Sequence, residues 1–148
     1  MGCECTTSLI TLFGFLVALA TICFGFYQFN EEKRFKKLNH FTELRNRFKQ
    51  NKDFTEIRQQ VLKGNSTDID LIKLYDYIGF FEELQISINS GFVDEEKIYY
   101  LFGHYILAFD VSNLSNYIDK EASLWSVYKK LITTMKNVQN KDYSNIKF

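Results

Sequence analysis

Leu9 to Phe29 reads LITLFGFLVALATICFGFYQF, twenty-one residues without a formal charge. As a helix rising about 1.5 Å per residue, the stretch is roughly 31 Å long, close to the thickness of a bilayer's hydrocarbon core at about 30 Å. Backbone groups in lipid must be satisfied within the segment, and a helix does this. The stretch therefore predicts a transmembrane helix over 9–29, with a short head over 1–8 outside the cytoplasm. A buried soluble helix seldom runs this far without a charge. A cleaved signal peptide asks for a basic n-region and a small-x-small site. Ala18-Leu19-Ala20 offers the site, but residues 1–8 hold no Lys or Arg and the apolar run continues to Phe29. Lipoprotein processing before Cys23 fits less well still, because Ile22 is not small. Met1-Gly2-Cys3-Glu4-Cys5-Thr6 matches the N-myristoylation pattern. A spanning helix already anchors far more strongly than a myristoyl chain.

Charge gives the span a direction. From Asn30 to Lys52 there are eight basic and three acidic residues, and from Asp53 onward ten basic and fourteen acidic. Basic excess beside a span stays on the cytoplasmic side. The reading is thus a cell-membrane protein with its N-terminus outside. A basic juxtamembrane helix over 30–52 contacts anionic lipid, and a cytoplasmic helical domain over 53–138 ends in a polar tail over 139–148. Next to a span, lipid is a better partner for these bases than nucleic acid. Cys3, Cys5 and Cys23 all lie in the head or the span. The domain therefore has no disulfide framework and suits a reducing compartment. The chain has no proline, which favours an all-helical build.

Phe35, Leu38, Phe41, Leu44 and Phe48 recur every three or four residues, one apolar stripe on a charged helix. The stripe either packs on the chain's own domain or forms a short coiled-coil seam between two copies. Asp53 or Thr55 caps a short helix carrying Phe54, Ile57, Val61 and Leu62, which stops at Gly64. Thr67, with Asp68 and Asp70, opens a helix that runs to Ser90 and ends at Gly91. Its apolar residues are Ile72, Leu74, Tyr75, Ile78, Phe81, Leu84, Ile86 and Ile88. They cover most of the helix, leaving a strip of Lys73, Asp76, Glu83 and Ser87 with Phe80 at its edge. Such a helix must be covered on more than one side. Asp94 caps the next helix, with Ile98, Leu101, Phe102, Tyr105, Ile106 and Phe109 inward, ending near Asp110. A last helix is predicted over 115–137, with Ile118, Trp125, Tyr128, Leu131, Ile132 and Met135 inward. The fold class is all-α: one N-terminal transmembrane helix followed by a small antiparallel helical bundle.

The block from Tyr77 to Ile106, YIGFFEELQISINSGFVDEEKIYYLFGHYI, resembles one found in a widespread bacterial family of small uncharacterised proteins. The likeness lies on Phe80 to Leu84, Gly91 to Glu96 and Tyr100 to Gly103, and a weaker echo sits around Trp125 to Leu131. Gln85 stands where that family commonly has glycine. Many members resemble this chain in having an N-terminal span and a charged helix after it. The resemblance implies a fold and a membrane location, and it carries over no catalytic or binding residue.

No constellation for chemistry is legible. His40 and His104 lie on different helices, and no metal spacing, phosphate loop or nucleophile motif is present. Glu82 and Glu83 are adjacent on a helix, so they point about 100° apart and cannot act as a pair on one substrate. The expectation is a non-enzyme without cofactor or metal. One polar feature stands out: Glu82 falls inside the apolar arc of its helix. Burying a carboxylate alone costs several kcal/mol, so it should find a donor. In an antiparallel hairpin about Gly91, paired residues sum to about 182 to 184, which sets Glu82 opposite Tyr100 to Phe102. Tyr100 or Tyr99 then supplies a phenol, with His104 one turn on. The alternative is a partly exposed acid at the bundle's edge. The same register pairs Gly79 with Gly103. A close crossing there is disfavoured, because Gly103 lies opposite the centre of its helix's apolar face. The functional expectation is an interaction or scaffolding module held at the membrane, with lipid and a protein partner or a second copy as its contacts. The alternative is a membrane-acting effector, a toxin or defence protein that oligomerises through its span and juxtamembrane helix.

Overall fold

Two glycines with positive φ and one asparagine cap place the turns of this fold. The computed structural model describes residues 3–64, 70–118 and 122–141, with side chains from Gly14 onward. The described residues are helical apart from turns and short connections, and none lies in a strand. The chain forms two units, 1–39 and 40–148. A single helix, α1 (Cys3–Gln50), contributes to both.

In the first unit, residues 14–39 are helical and exposed throughout. The bulky apolar residues from Phe15 to Phe29 all face outward. Past Asn30 the helix carries Arg34–Glu31 and Lys36–Glu32 pairs at 3.9 Å. Among the described residues no helix is long and apolar enough to cross a membrane. The head 1–8 and the first five positions of the predicted span, 9–13, have side chains outside the described residues.

The second unit begins with the last turns of α1. Asn51 leaves the helix at ψ 118°, and its Oδ1 accepts from the backbone N–H of Asp53 at 2.9 Å and of Phe54 at 3.2 Å. The cap of α2 (Lys52–Lys63) is therefore Asn51, not Asp53 or Thr55 as the sequence suggested. Those two lie inside the first turn, past the extended residue that must hold the cap. Gly64 stops α2 with φ 66°, as predicted. Asp70 caps α3 (Leu71–Asn89) by accepting from Ile72 N–H at 2.9 Å, while Thr67 and Asp68 lie outside the described residues. Ser90 and Gly91, at φ 67°, end α3, and the N–H groups of Phe92 and Val93 return to the Ser87 carbonyl.

A short α4 (Glu95–Ile98) passes without a break into a π-turn over Tyr99–Gly103 and then α5 (His104–Val111). The predicted helix over 115–137 is shorter than expected. Two 3₁₀ turns, Asn113–Tyr117 and Ser123–Trp125, precede α6 (Ser126–Gln139). The Ser112 hydroxyl donates to the Phe109 carbonyl, and the Ser115 hydroxyl to those of Asp110 and Ser112. Hydroxyls that take nearby carbonyls offer the backbone an alternative to the α-helical ladder. Leu114 and Ile118 are nonetheless buried, so the irregular stretch still contributes to the core. The polar tail predicted over 139–148 starts at Gln139, the last residue of α6, and 142–148 lie outside the described residues.

An aromatic cluster centres the second unit. The Phe48 ring lies 5.1 to 6.3 Å from the rings of Phe54, Tyr77, Phe80, Phe102 and Tyr105. Behind it, Phe81 and Phe109 meet Tyr128 of α6. This cluster fixes the rotation of α3 differently from the sequence projection. Tyr77, Phe80, Gln85 and Ser87 are buried, while Ile72, Tyr75 and Ile86 are exposed. The covered arc is the one that Phe48 of α1 reaches. On an almost wholly apolar helix, hydrophobicity alone does not choose it. The stripe on α1 divides as well: Leu44 and Phe48 are buried, while Phe35 and Leu38 are exposed.

Candidate functional site: a basic cleft beside the π-turn

The break at Asn51 brings α2 onto the end of α1, and Arg58 comes with it. Its guanidinium carbon sits 4.5 Å from the centroid of the Phe48 ring and 5.5 Å from that of Tyr105. Its Nε donates to the Phe54 carbonyl at 3.2 Å and its Nη2 to the Thr55 hydroxyl at 2.7 Å. Two of its N–H donors are thus used to hold the side chain, and the rest of the fork stays free of protein acceptors among the described residues. Cation–π contact of this kind adds about 0.5–2 kcal/mol, depending on how dry the site is.

Arg58 is one wall of a cleft of about 70 Å³, with Arg45, Lys49 and Tyr105 as further walls and Phe48 and Phe102 among its lining. Arg45 and Lys49 stand at i and i+4 on α1, so their charges face the same way. Such a like-charge pair destabilises a helix by about 0.2–0.5 kcal/mol. Neither side chain has an ion pair or hydrogen bond with another described residue. The two carboxylates of α2 are engaged elsewhere. Asp53 and Glu56 of α2 both accept from Lys73, at 2.9 and 2.8 Å, which holds that ammonium well above the usual lysine range. Glu83 of α3 pairs with Arg47. The cleft is therefore a concentration of uncompensated positive charge on an aromatic floor. Just behind it, burial pushes the Tyr77 phenol up, against the opposing pull of the Arg58 charge.

The π-turn shapes this wall. A helix that widens to an i→i+5 step displaces the residues after it by about one position around the axis. Tyr100 is 65 % exposed, and Gly103 is buried against the Tyr99 ring, where a Cβ would fall 2.7 Å from Cδ2. Single π-turns inside α-helices are frequent at functional sites.

The sequence singles out Glu82 and Tyr100. Glu82 is half-buried, and its Oε1 is buried without a hydrogen-bond partner, so neither Tyr100 nor His104 satisfies that atom. The hairpin register itself holds, since Phe80 and Phe102, which sum to 182, meet at 5.8 Å between ring centroids. Tyr100, at the second position of the π-turn, is exposed. Gly79 and Gly103 do not form a close crossing: a Cβ on Gly79 would meet nothing within 4 Å. His40 and His104 remain apart in role. His40 Nε2 lies 2.8 Å from the buried Ser87 hydroxyl, and His104 is exposed beside Tyr105. Among the described residues no group of three or more His, Cys, Asp or Glu is placed to hold a metal ion.

Arg45 and Lys49 are legible in the sequence only as members of the basic run over 30–52, and Arg58, in the net-acidic stretch after Asp53, carries no signal of its own. The signal available in sequence was the i, i+4 spacing of Arg45 and Lys49 with Phe48 between them. A second surface is also notable. Ile72, Tyr75, Gly79 and Ile86 are exposed along one side of α3, and Trp125 lies 5.8 Å from Tyr75.

Over residues 8–143 the chain matches the family model of a domain of unknown function, DUF4760. No curated protein and no solved structure matches it.

Proposed function

We propose, for a chain that belongs to the DUF4760 family, a non-enzymatic interaction module held at the cell membrane by a single span over 9–29, with its helical domain in the cytoplasm. The observation that carries this reading is the stretch from Gly14 to Phe29: helical, uncharged, and exposed at every position. Contiguous apolar surface on that scale mostly marks contact with a membrane or another protein. The basic residues from Lys33 to Lys52 support the orientation, since they sit where the cytoplasmic headgroups would be. The exposed side of α3, with Ile72, Tyr75 and Ile86 around Gly79, supports a protein contact. We relate the FFEEL block of Phe80 to Leu84 to small bacterial membrane-anchored proteins on the same grounds of resemblance.

A reporter active only in the cytoplasm, fused after Phe148, tests the topology. The fusion should be active, should stay in the membrane pellet through an alkaline wash, and should resist protease added to intact cells. Release by the wash, or digestion from outside, would overturn the reading.

A further inference from the structure

We propose that the cleft walled by Arg45, Lys49, Arg58 and Tyr105 binds a phosphate group, supplied either as free phosphate or as the monoester headgroup of an anionic lipid. Three cations line one small cleft, and no carboxylate among the described residues pairs with any of them. A single carboxylate would leave most of that charge unmet, whereas a phosphate monoester near neutral pH carries about −1.5 to −2 and three acceptor oxygens. Size gives the same answer. A cleft of about 70 Å³ holds a few waters or one small oxyanion. Sites for larger organic ligands run to about 300–1,000 Å³. The rest of any phosphate-bearing molecule would have to lie outside.

Arg58 is the organising group. Its contacts with Phe48, Tyr105, the Phe54 carbonyl and the Thr55 hydroxyl fix the guanidinium before a ligand arrives. A fork already held in place loses little freedom on binding, and its planar donors match phosphate oxygens two at a time. Arg45 and Lys49, which line the same cleft, supply further charge from α1. The aromatic lining excludes water on one side, which strengthens each charge interaction over its value in bulk solvent. The inference stands apart from the membrane reading, because it depends only on residues of the second unit.

The test uses the full chain in an uncharged detergent. Inorganic phosphate is titrated against sodium chloride of matched ionic strength, and thermal unfolding is followed by the fluorescence of the single tryptophan, Trp125. Phosphate should raise the melting temperature saturably where chloride does not. The exposed pair R45Q/K49Q should weaken that binding by about tenfold or more, the scale of one or two charge-assisted hydrogen bonds. Neither residue is buried, so this variant keeps the fold, whereas Arg58→Lys tests the fork but also alters packing on Phe48. Short-chain phosphatidic acid, with short-chain phosphatidylcholine as control, forms the second arm. If phosphatidic acid binds about tenfold tighter than phosphate, the source is a lipid headgroup; equal binding points to soluble phosphate. No saturable effect of either probe, or an equal effect on wild type and R45Q/K49Q, would overturn the proposal.

Discussion

The guanidinium of Arg58 lies over the ring of Phe48, 4.5 Å from its centroid, and couples the basic cleft to the aromatic core. Phe48 also stacks with Phe80 at 5.3 Å and meets Phe102 edge-on at 5.1 Å, so one side chain joins α1 to α3 and to the π-turn. Phe48→Ala should therefore cost about 3–5 kcal/mol, the usual range for emptying a buried phenylalanine site. Urea unfolding read by Trp125 fluorescence checks this. A loss below about 1 kcal/mol would mean the site collapses and the ring is not the hinge of the packing.

The helical glycines of the second unit, Gly79 and Gly103, should respond in opposite directions. A Cβ on exposed Gly79 meets nothing within 4 Å, so Gly79→Ala should stabilise by about 0.5–1 kcal/mol through helix propensity. A Cβ on buried Gly103 falls 2.7 Å from Tyr99 Cδ2 and 3.0 Å from its Cγ, too near the base of the side chain for an easy swing. Gly103→Ala should destabilise by about 1–3 kcal/mol, as overpacking does. Adding Tyr99→Ala should recover part of that loss. Additive effects of the two changes would refute a direct clash.

Glu82 should tolerate substitution. Its buried Oε1 has no hydrogen-bond partner, so removing it strands no donor. Glu82→Gln and Glu82→Ala should both stay within about 1 kcal/mol of wild type, with Ala the more stable of the two. Thermal melts of the three proteins decide it. A clear loss on Glu82→Ala that Glu82→Gln does not share would reveal a donor that uses the carboxylate.

Local signals carried most of what the sequence made legible. The stops at Gly64 and Gly91 come from backbone that needs positive φ, and composition points to them directly. The inward face of α4 and α5, from Ile98 to Phe109, followed from helical spacing and is buried at Ile98, Phe102, Ile106 and Phe109. Long-range choices were not legible. Which arc of α3 is covered depends on Phe48, about thirty residues away in the chain, so Tyr77 and Phe80 went in while Ile72 and Ile86 stayed out. The 3₁₀ stretch does carry a signal in the Ser and Asn residues of 112–116, whose side chains compete for backbone carbonyls. The π-turn left no compositional mark beyond Gly103. For the candidate cleft, the charges were visible but their convergence was not. Arg58 reaches Arg45 and Lys49 only because Asn51 ends α1 where it does.

Alkaline pH should unfold the second unit through two tyrosines. Burial pushes the phenols of Tyr77 and Tyr128 well above the ordinary tyrosine range, and the nearby Asp110 carboxylate raises Tyr128 further. In the unfolded chain both release their protons near pH 10. The folded state keeps them, so it binds more protons than the unfolded state above that pH. Stability is then full below about pH 10 and falls as pH rises, by up to about 2.7 kcal/mol per unit when both groups contribute. The Lys73 and Lys141 ammonium groups, each raised by its carboxylate partners, push in the same direction above the lysine range. Tyr128→Phe separates the contributions. The Tyr128 hydroxyl is buried without a hydrogen-bond partner, so its removal should leave neutral-pH stability unchanged or slightly higher. The same substitution should cut the alkaline loss by about half, if the lysine contribution is the smaller one. Urea midpoints followed by circular dichroism from pH 7 to pH 11 provide the measurement. A Tyr128→Phe slope equal to that of wild type would show that this phenol does not drive the transition.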